Sequence, residues 1–367
     1  RPGHRPVITG AGWSGIGSAN ASYVVIDGFT IIGPSPDPTS WLAAALANGS
    51  ATSADRLYNG NGIAFDGRNQ GTAFPHHITI RNCSVSRWGG AGISLLLTDY
   101  VTIEDCTVFD NSWYTRYATS GISIGGRDLD AGSGYRNVIR RNTVFNNFTQ
   151  VPWNVLSPPA VSDGNGIIVD DNRNTQANKG YTIPYTGRTL ISDNLVVGNG
   201  GSGIHAYLSD RVDIVRNTAY MNSRMLDYGE IFAIQGSDVR IMDNILWGRP
   251  GRIITKGSVH NTAVVQDSNI YHGDGSVSIT PGPRDLRTDP LLRQPGLDPA
   301  AWDFRLLAAS PARDSASATF AGISPGDITR AARPVGAGGD RGAHEYAGDA
   351  GPSVITATAA PAVMTLP

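Results

Sequence analysis

Four side chains that can exchange protons stand at corresponding places in three neighbouring segments of the sequence. Asp170 ends an apolar segment, His205 and Tyr207 alternate with apolar residues in the next, and Glu230 comes directly before Ile231. Side chains of these types act as general acids and bases when they are held within hydrogen-bond reach of a substrate. We therefore take them as candidate catalytic residues.

Charged and aromatic residues near these four predict how a substrate would be held. Arg127 is a candidate for neutralising a negative charge that develops in the reaction. Candidates for a Ca²⁺ site are Asp163, Asp170 and Asp171, because carboxylate oxygens are the ligands that calcium prefers. The candidate substrate-binding residues, cations together with tryptophans whose flat faces could stack on sugar rings, are Arg116, Arg173, Lys256, Trp113 and Trp153.

Two reactions on a long sugar chain are compatible with this set. In β-elimination at a uronic acid, His205 or Tyr207 would serve as base or acid, while Arg127, Arg116 or a bound Ca²⁺ would neutralise the sugar carboxylate. In glycoside hydrolysis two carboxyl groups must flank the bond, and Asp170 or Asp171 with Glu230 would supply them.

A repeat of about 23 residues must position these side chains. In one recurring six-residue segment the third residue is Ile or Val and the last is Asn or Cys, as in Ile78–Cys83, Val101–Cys106 and Thr189–Asn194. Gly-Ile pairs such as Gly166-Ile167 and Gly203-Ile204 lie between the copies of this segment. One coil of three short strands has this length, and stacked coils pair their backbone edges. The repeat thus predicts an all-β fold, a parallel β-helix.

Stacking places like residues over like and predicts two ladders of buried asparagines. One ladder contains Asn142, Asn194, Asn217, Asn244 and Asn269, and the other Asn111, Asn147, Asn199 and Asn222. Cys83 and Cys106 would share a place in the first ladder, as thiols or as one bridge between coils.

Uneven coil lengths predict where loops leave the cylinder. Inserts are expected near 34–60, 112–120, 148–163 and 172–187 of a β-helix over residues 1–285, followed by a capping segment over 286–346 and a tail or linker over 347–367. Loops on a rigid scaffold are where functional residues concentrate.

Alternation along the Gly-Ile strands predicts which side chains face outward between these inserts. One outward file reads Ala64, Ser94, Ser123, Ile168, His205 and Phe232. The second reads Asp66, Leu96, Gly125, Asp170, Tyr207 and Ile234.

Composition argues against several partners. Net charge is −2, and the 29 Lys and Arg residues form no run, whereas nucleic acids and anionic membranes select a basic surface. No apolar stretch approaches the ~20 residues of a membrane span. We expect a monomer without a nucleic-acid or membrane partner.

The repeat resembles the right-handed parallel β-helix proteins of the pectate-lyase-like superfamily over roughly residues 7–280. Gly164–Val169 and Asn217–Asn222 are similar to family-nine pectate lyases, and Asp340–Tyr346 is similar to a closing segment of secreted bacterial β-helix proteins. The resemblance implies an extracellular polysaccharide lyase that acts on an acidic polysaccharide or oligosaccharide, and a segment that covers the last coil.

The chain departs from that family at the catalytic base. The family-nine lyases carry a lysine where this sequence has Ile168, and the only lysines here are Lys179 and Lys256. A lyase built on this chain would need another base, and both lysines are candidates. A glycoside hydrolase and a non-catalytic carbohydrate-binding β-helix are the alternatives to a lyase.

Overall fold

The computed structural model describes residues 5–35, 41–153, 155–320, 322–324 and 326–348. They form a stack of coils, and each coil gives one short strand to each of three parallel sheets, here called A, B and C. Sheet A contains, in spatial order, Val7–Thr9, Thr30–Ile32, Ser84–Ser86, Thr107–Phe109, Thr143–Phe145, Leu195–Val197, Thr218–Tyr220, Ile245–Trp247, Ile270–His272 and Leu286–Arg287.

Sheets B and C follow sheet A around each coil and share one long strand. Sheet B contains Ser14–Ser18, Asn61–Asp66, Ile93–Glu104, Ile122–Gly126, Ile167–Asp170, Ile204–Tyr207 and Ile231–Ile234. Sheet C contains Val24–Asp27, His76–Arg81, Ile93–Glu104, Tyr135–Arg140, Arg188–Ser192, Val212–Val215, Ser237–Met242 and Thr262–Asp267. The predicted parallel β-helix is confirmed.

Short elements lie outside the three sheets. Thr255–Lys256 pairs with Val277–Ser278 in parallel, and Leu292–Gln294 pairs with Asp303–Leu306 antiparallel. The α-helices are Leu42–Gly49 and Arg56–Asn59, and the 3-10 helices are Ala177–Lys179 and Ala318–Phe320.

The core is a set of apolar files in which each residue packs on its equivalent in the next coil. In sheet B the in-register file is Ile63, Ile93, Ile122, Ile167, Ile204 and Ile231. All six are buried without exposure to solvent. β-Branched side chains pack well on a pleated surface, and strand pairing in exact register keeps every one of them inside.

Both predicted asparagine ladders are present. In each, the side-chain oxygen of one asparagine accepts bonds from the backbone N–H and the amide of the previous one, as Asn217 does from Asn194 at 3.0 and 2.9 Å. The ladders end on carboxylates where no further asparagine follows. Asp285 accepts from the backbone N–H of Asn269 at 2.8 Å, and Glu230 accepts from Asn222.

The two cysteines lie on neighbouring coils at the start of the first ladder. Cys83 and Cys106 are both buried and are free thiols. Cys106 donates its backbone N–H to the side-chain oxygen of Asn142 at 3.0 Å, which joins it to the ladder above.

The first insert is held by a residue that we expected to bind substrate. The Arg116 guanidinium donates to the backbone oxygens of Asn48 and Ala51, at 3.2 and 2.7 Å, at the end of the helix Leu42–Gly49. Arg116 is 9% exposed. We therefore correct its assignment, because these carbonyls at the helix C-terminus account for the burial of the cation. Residues 36–40 of this insert lie outside the described residues.

The C-terminal segment covers one side of the cylinder. The sequence predicted that this segment covers the last coil. Leu292, Phe304 and Leu306 pack on the outer side chains of sheet A, among them Tyr220 and Ile245. The tail beyond residue 348 lies outside the described residues.

Candidate functional site

Three neighbouring strands of sheet B present the candidate residues. Ile168 pairs with His205 and His205 with Phe232, while Asp170 pairs with Tyr207. The predicted register is confirmed. The residues of the first outward file are nevertheless buried. Ile168, His205 and Phe232 are only 4%, 6% and 1% exposed to solvent.

Two carboxyl groups stand at opposite ends of the strand Ile167–Asp170. Asp163 has a left-handed backbone with φ 64° and accepts from the amide of Asn165 at 2.8 Å. Burial, together with the charge of Asp170, raises the pKa of Asp163 to about 7. Burial also raises the pKa of Asp170, against the opposing effect of the Lys179 ammonium. The pair therefore contains a carboxyl, Asp163, that is only partly ionised near neutral pH.

Two phenols adjoin the carboxyl pair. The pKa of Tyr207 is raised by burial and then by the charge of Asp170. Tyr228 comes from the segment before the strand Ile231–Ile234, and burial is also the main cause of its raised pKa, with a hydrogen bond to Ser162 working against it. Both phenols stay protonated at neutral pH and can donate a proton.

Lys256 completes the set. It lies on the strand Thr255–Lys256, which follows Ile231–Ile234 in the stack. Its ammonium is 4.8 Å from the ring centre of Tyr228 and 4.6 Å from that of Phe232. Burial lowers the pKa of Lys256, so that the neutral amine, which can accept a proton, becomes more accessible.

We call Asp163, Asp170, Tyr207, Tyr228 and Lys256 the central cluster. Each of these five residues is partly exposed to solvent. They come from four coils and one preceding loop, and the parallel stack brings them to one side of sheet B.

His205 is not suited to the acid–base role that we assigned to it. Its ring is stacked on Phe232 at 4.7 Å, and its Nδ1 lies 2.7 Å from the hydroxyl of Ser202. Burial, reinforced by the positive charge of Lys256, lowers the pKa of His205 to about 3. Because a buried imidazolium is unfavourable beside an ammonium, His205 is a neutral packing partner of the cluster.

A hydrogen-bond chain connects His205 to Asp163. The amide of Asn165 donates to Asp163, and its oxygen accepts from the backbone N–H and the hydroxyl of Ser202, both at 2.9 Å. The backbone N–H of Ser202 can only donate, which fixes the orientation of the Asn165 amide. Asn165 belongs to the Gly-Asn-Gly motif, and this chain gives that asparagine a structural role at the site.

Glu230 is corrected from a catalytic residue to the end of the second ladder. It has no exposure to solvent. Its Oε1 accepts from the backbone N–H of Asn222 at 2.9 Å, and its Oε2 from the Asn222 amide at 2.6 Å. Burial raises the pKa of Glu230 to about 8. A side chain directed into the cylinder cannot reach a substrate outside it.

The three aspartates predicted to bind calcium do not form a metal site. Across the described residues, no three His, Cys, Asp or Glu side chains are grouped so that they could hold a metal ion. Asp171 is buried and accepts from the backbone N–H groups of Thr175 and Gln176 at 3.0 and 2.8 Å. Its oxygens shape the turn that follows the strand, so we derive no step through calcium.

The remaining candidates pack against protein. Arg127 lies over the rings of Phe74 and Tyr181, at 4.3 and 4.6 Å, and donates to the backbone oxygen of Gly71. Arg173 forms an ion pair with Asp210 at 2.7 Å. These contacts hold inserts and coils together and replace the roles we predicted in charge neutralisation and substrate binding.

The two tryptophans also stand outside the central cluster. Trp113 stacks on Phe148 at 4.3 Å and donates its ring N–H to the backbone oxygen of Asn146 at 3.1 Å. Trp153 forms an isolated antiparallel bridge with Ala160. A sugar-stacking role for either stays a prediction.

Tyr228 and Gln176 were missed as site residues because they lie in loops without a repeat, and Lys179 was expected there only as a possible base. The available signal was length, since Gln176 and Lys179 belong to the 172–187 insert. The structure brings them over the end of the strand Ile167–Asp170, where Gln176 donates to Asp170 at 3.1 Å.

Comparisons with known proteins identify the family. The family model described as right-handed beta helix region matches residues 7–218. The chain is also similar to a crystal structure of pectate lyase Pel9A, with 12% identity, a TM-score of 0.41 and coverage of 94% of this chain and 89% of that one. A second similar structure is the A-module of the mannuronan C-5 epimerase AlgE4 from Azotobacter vinelandii, with 13% identity, a TM-score of 0.32 and coverage of 73% and 76%.

No curated protein sequence matches the chain. Among the described residues, no helix has the length and apolar character needed to cross a membrane. The family model covers more than half of the sequence, and its strands are those of sheets A, B and C. The chain therefore belongs to the right-handed parallel β-helix family.

Proposed function

We propose that this protein is a secreted enzyme that cleaves a uronic-acid-containing polysaccharide by β-elimination at the central cluster. The observation that carries the proposal is the position of Lys256. Its amine lies beside two aromatic rings on the side of sheet B that also bears two carboxyls and two phenols. A partly desolvated amine is a suitable base for a carbon acid.

The reaction assigns one step to each group. Lys256 as the free amine takes the proton from C5 of the uronate. The electron pair left at C5 forms the C4–C5 double bond as the bond between C4 and the glycosidic oxygen breaks, and Tyr207 protonates that oxygen. Asp163, which holds a proton near neutral pH, donates a hydrogen bond to the substrate carboxylate and stabilises the charge that develops there. Asp170 accepts from a sugar hydroxyl.

Product analysis tests this proposal directly. The purified protein is incubated with polygalacturonate, alginate and glucuronan, and with a neutral glucan as the control. We expect new reducing ends together with the ultraviolet absorbance of an unsaturated uronide on at least one acidic polymer. If no polymer is cleaved, the proposal is wrong, and a polymer that binds without cleavage supports a carbohydrate-binding β-helix.

Hydrolysis is the second candidate, because Asp163 and Asp170 have different surroundings. Burial raises the pKa of both carboxyls, but the charge of Asp170 adds to the rise at Asp163, whereas the Lys179 ammonium opposes the rise at Asp170. This is the arrangement of an acid and a base or nucleophile in glycosidases. Reducing ends without the unsaturated product would identify a hydrolase and overturn the lyase.

A further inference from the structure

Lys179 is a buried cation that no step above uses. It ends the 3-10 helix Ala177–Lys179 in the 172–187 insert and is 3% exposed. Lysine is seldom buried to this extent, because its ammonium is strongly hydrated in water. Its burial therefore points to specific partners inside the protein.

Those partners are all at the end of the strand Ile167–Asp170. The ammonium donates to the backbone oxygens of Asp170 and Asp171 at 2.7 and 2.6 Å, and lies 3.5 Å from the carboxylate of Asp171. A lysine ammonium has three N–H donors and no lone pair. With three acceptors around it, Lys179 is engaged as a cation and is not the missing base.

The neighbouring coil leaves space for this ammonium. Gly125 lies beside Asp170 in the stack, and the same file carries Leu96 one coil earlier. A Cβ at Gly125 would lie 3.4 Å from the Lys179 ammonium and 3.2 Å from the Asp170 backbone oxygen. A larger side chain there would crowd both groups.

The same insert also holds the Asp170 carboxyl. Gln176, three residues before Lys179, donates its amide to Oδ1 of Asp170 at 3.1 Å. The insert thus contacts Asp170 twice, at the backbone oxygen through Lys179 and at the carboxyl through Gln176.

We infer that Lys179 is a positioning residue that fixes the strand end, and with it the Asp170 carboxyl, in the orientation used for catalysis. The inference rests on the proposed function, since it assigns Asp170 to the reacting surface. It applies equally to elimination and hydrolysis, because both use Asp170 against a bound sugar. Gly125 contributes to this positioning, because it has no side chain that would contact the Lys179 ammonium or the Asp170 backbone oxygen.

The test combines Lys179→Met, which keeps length and removes the charge, with Lys179→Arg, which keeps the cation. We expect Lys179→Met to lower kcat by about tenfold or more with KM nearly unchanged, since one displaced group can cost that much in the transition state. Lys179→Arg should recover part of kcat. Equal kcat in Lys179→Met and the wild type would overturn the inference, and so would a loss that arginine does not reduce.

Two further measurements keep the inference testable if Lys179→Met fails to fold or if no substrate is found. Gly125→Ala retains the lysine and places a methyl group 3.2 Å from the Asp170 backbone oxygen and 3.4 Å from the ammonium, so we expect a smaller loss of kcat with an unchanged melting temperature. Amide hydrogen exchange measures the protection of residues 172–187 and needs no enzymatic activity. Faster exchange over 172–187 in the Lys179 variants supports the positioning contact even if every polymer is left intact, whereas unchanged exchange overturns it.

Discussion

Glu230 and Asp163 are both carboxyl groups with a raised pKa, and they show two uses of burial in one fold. Burial is the main cause in both cases and raises the pKa to about 8 at Glu230 and about 7 at Asp163. Glu230 is directed into the cylinder and is fully engaged by Asn222. Asp163 is half-buried on the outer side of sheet B, next to the phenol of Tyr228.

The difference teaches that a perturbed pKa marks a functional residue only when the group is also accessible. Structural hydrogen-bond networks shift pKa values as strongly as active sites do. Asp285 ends the other ladder by accepting from the backbone N–H of Asn269. The predictions below separate the accessible cluster from the ladder ends.

The largest effect is expected at the proposed base. Lys256→Met removes the amine, and we expect kcat to fall by ~10²–10⁴, the contribution of a general base. Lys256→Arg keeps the charge but cannot release a proton at neutral pH, so it should be similarly slow. Initial rates on the polymer found by product analysis measure both. Wild-type turnover in the arginine variant would exclude Lys256 as the base.

The ladder end should matter for stability and not for turnover. Glu230→Ala leaves the backbone N–H and one side-chain N–H of Asn222 without acceptors, and buried unpaired donors cost about 1–3 kcal/mol. Urea unfolding measures the loss. The matched control is Glu230→Gln, whose single amide oxygen can accept both bonds as the ladder asparagines do. A Glu230→Ala protein as stable as the wild type would contradict the ladder assignment.

The same residue predicts how stability depends on pH. The folded pKa of Glu230 is about 8, against 4.5 for an ordinary glutamate. Between these values the folded state keeps a proton that the unfolded state loses, so wild-type stability falls as pH rises. Below this window the glutamate is protonated in both states.

Glu230→Gln has no such proton and serves as the comparison. Its melting temperature should increasingly exceed that of the wild type as pH rises from 4.5 to about 8, with no further divergence above. Thermal unfolding across this range measures the difference. A gap between the two proteins that stays constant with pH would mean that Glu230 is charged in the folded state.

The smallest effect is expected at an ion pair outside the cluster. Arg173 and Asp210 are 29% and 26% exposed in their side chains, and pairs of this kind contribute about 0–1 kcal/mol. Arg173→Gln should unfold almost as the wild type does and should keep its kcat/KM. A marked rise in KM would return Arg173 to the substrate-binding residues.

The fold could be predicted from the sequence because stacking repeats the same constraint in every coil. A 23-residue spacing between Asn194 and Asn217 is enough to set register, and register then places Asp170 beside Tyr207. The two asparagine ladders follow from the same spacing.

Burial of the outward files could not be predicted in this way. His205 is covered because residues of other segments, Lys256 among them, lie over the strand. The sequence repeat contains no signal for such contacts. Lys179 was recognisable as a lysine in an insert, but its turn toward backbone oxygens depends on the loop conformation.

Glu230 could have been interpreted correctly. In the preceding coils a glycine stands at the position equivalent to Glu230, and a side chain there would contact a ladder asparagine. A Cβ at Gly203, for example, would lie 2.9 Å from the amide of Asn222. The second ladder has no asparagine after Asn222, and the glycine is replaced by glutamate in that same coil. A glutamate that completes a ladder was the physical meaning of this irregularity.

The comparison of the two carboxyl groups is tested most directly by measuring kcat/KM for Asp163→Asn and Glu230→Gln on the same acidic polymer. Each variant replaces a carboxyl by an amide of nearly equal size. Asp163→Asn replaces the carboxyl O–H donor to the substrate carboxylate by a weaker amide donor, so we predict a loss of about 10²-fold for Asp163→Asn and the wild-type value for Glu230→Gln. Full activity in Asp163→Asn, or an equal loss in both variants, would contradict the account.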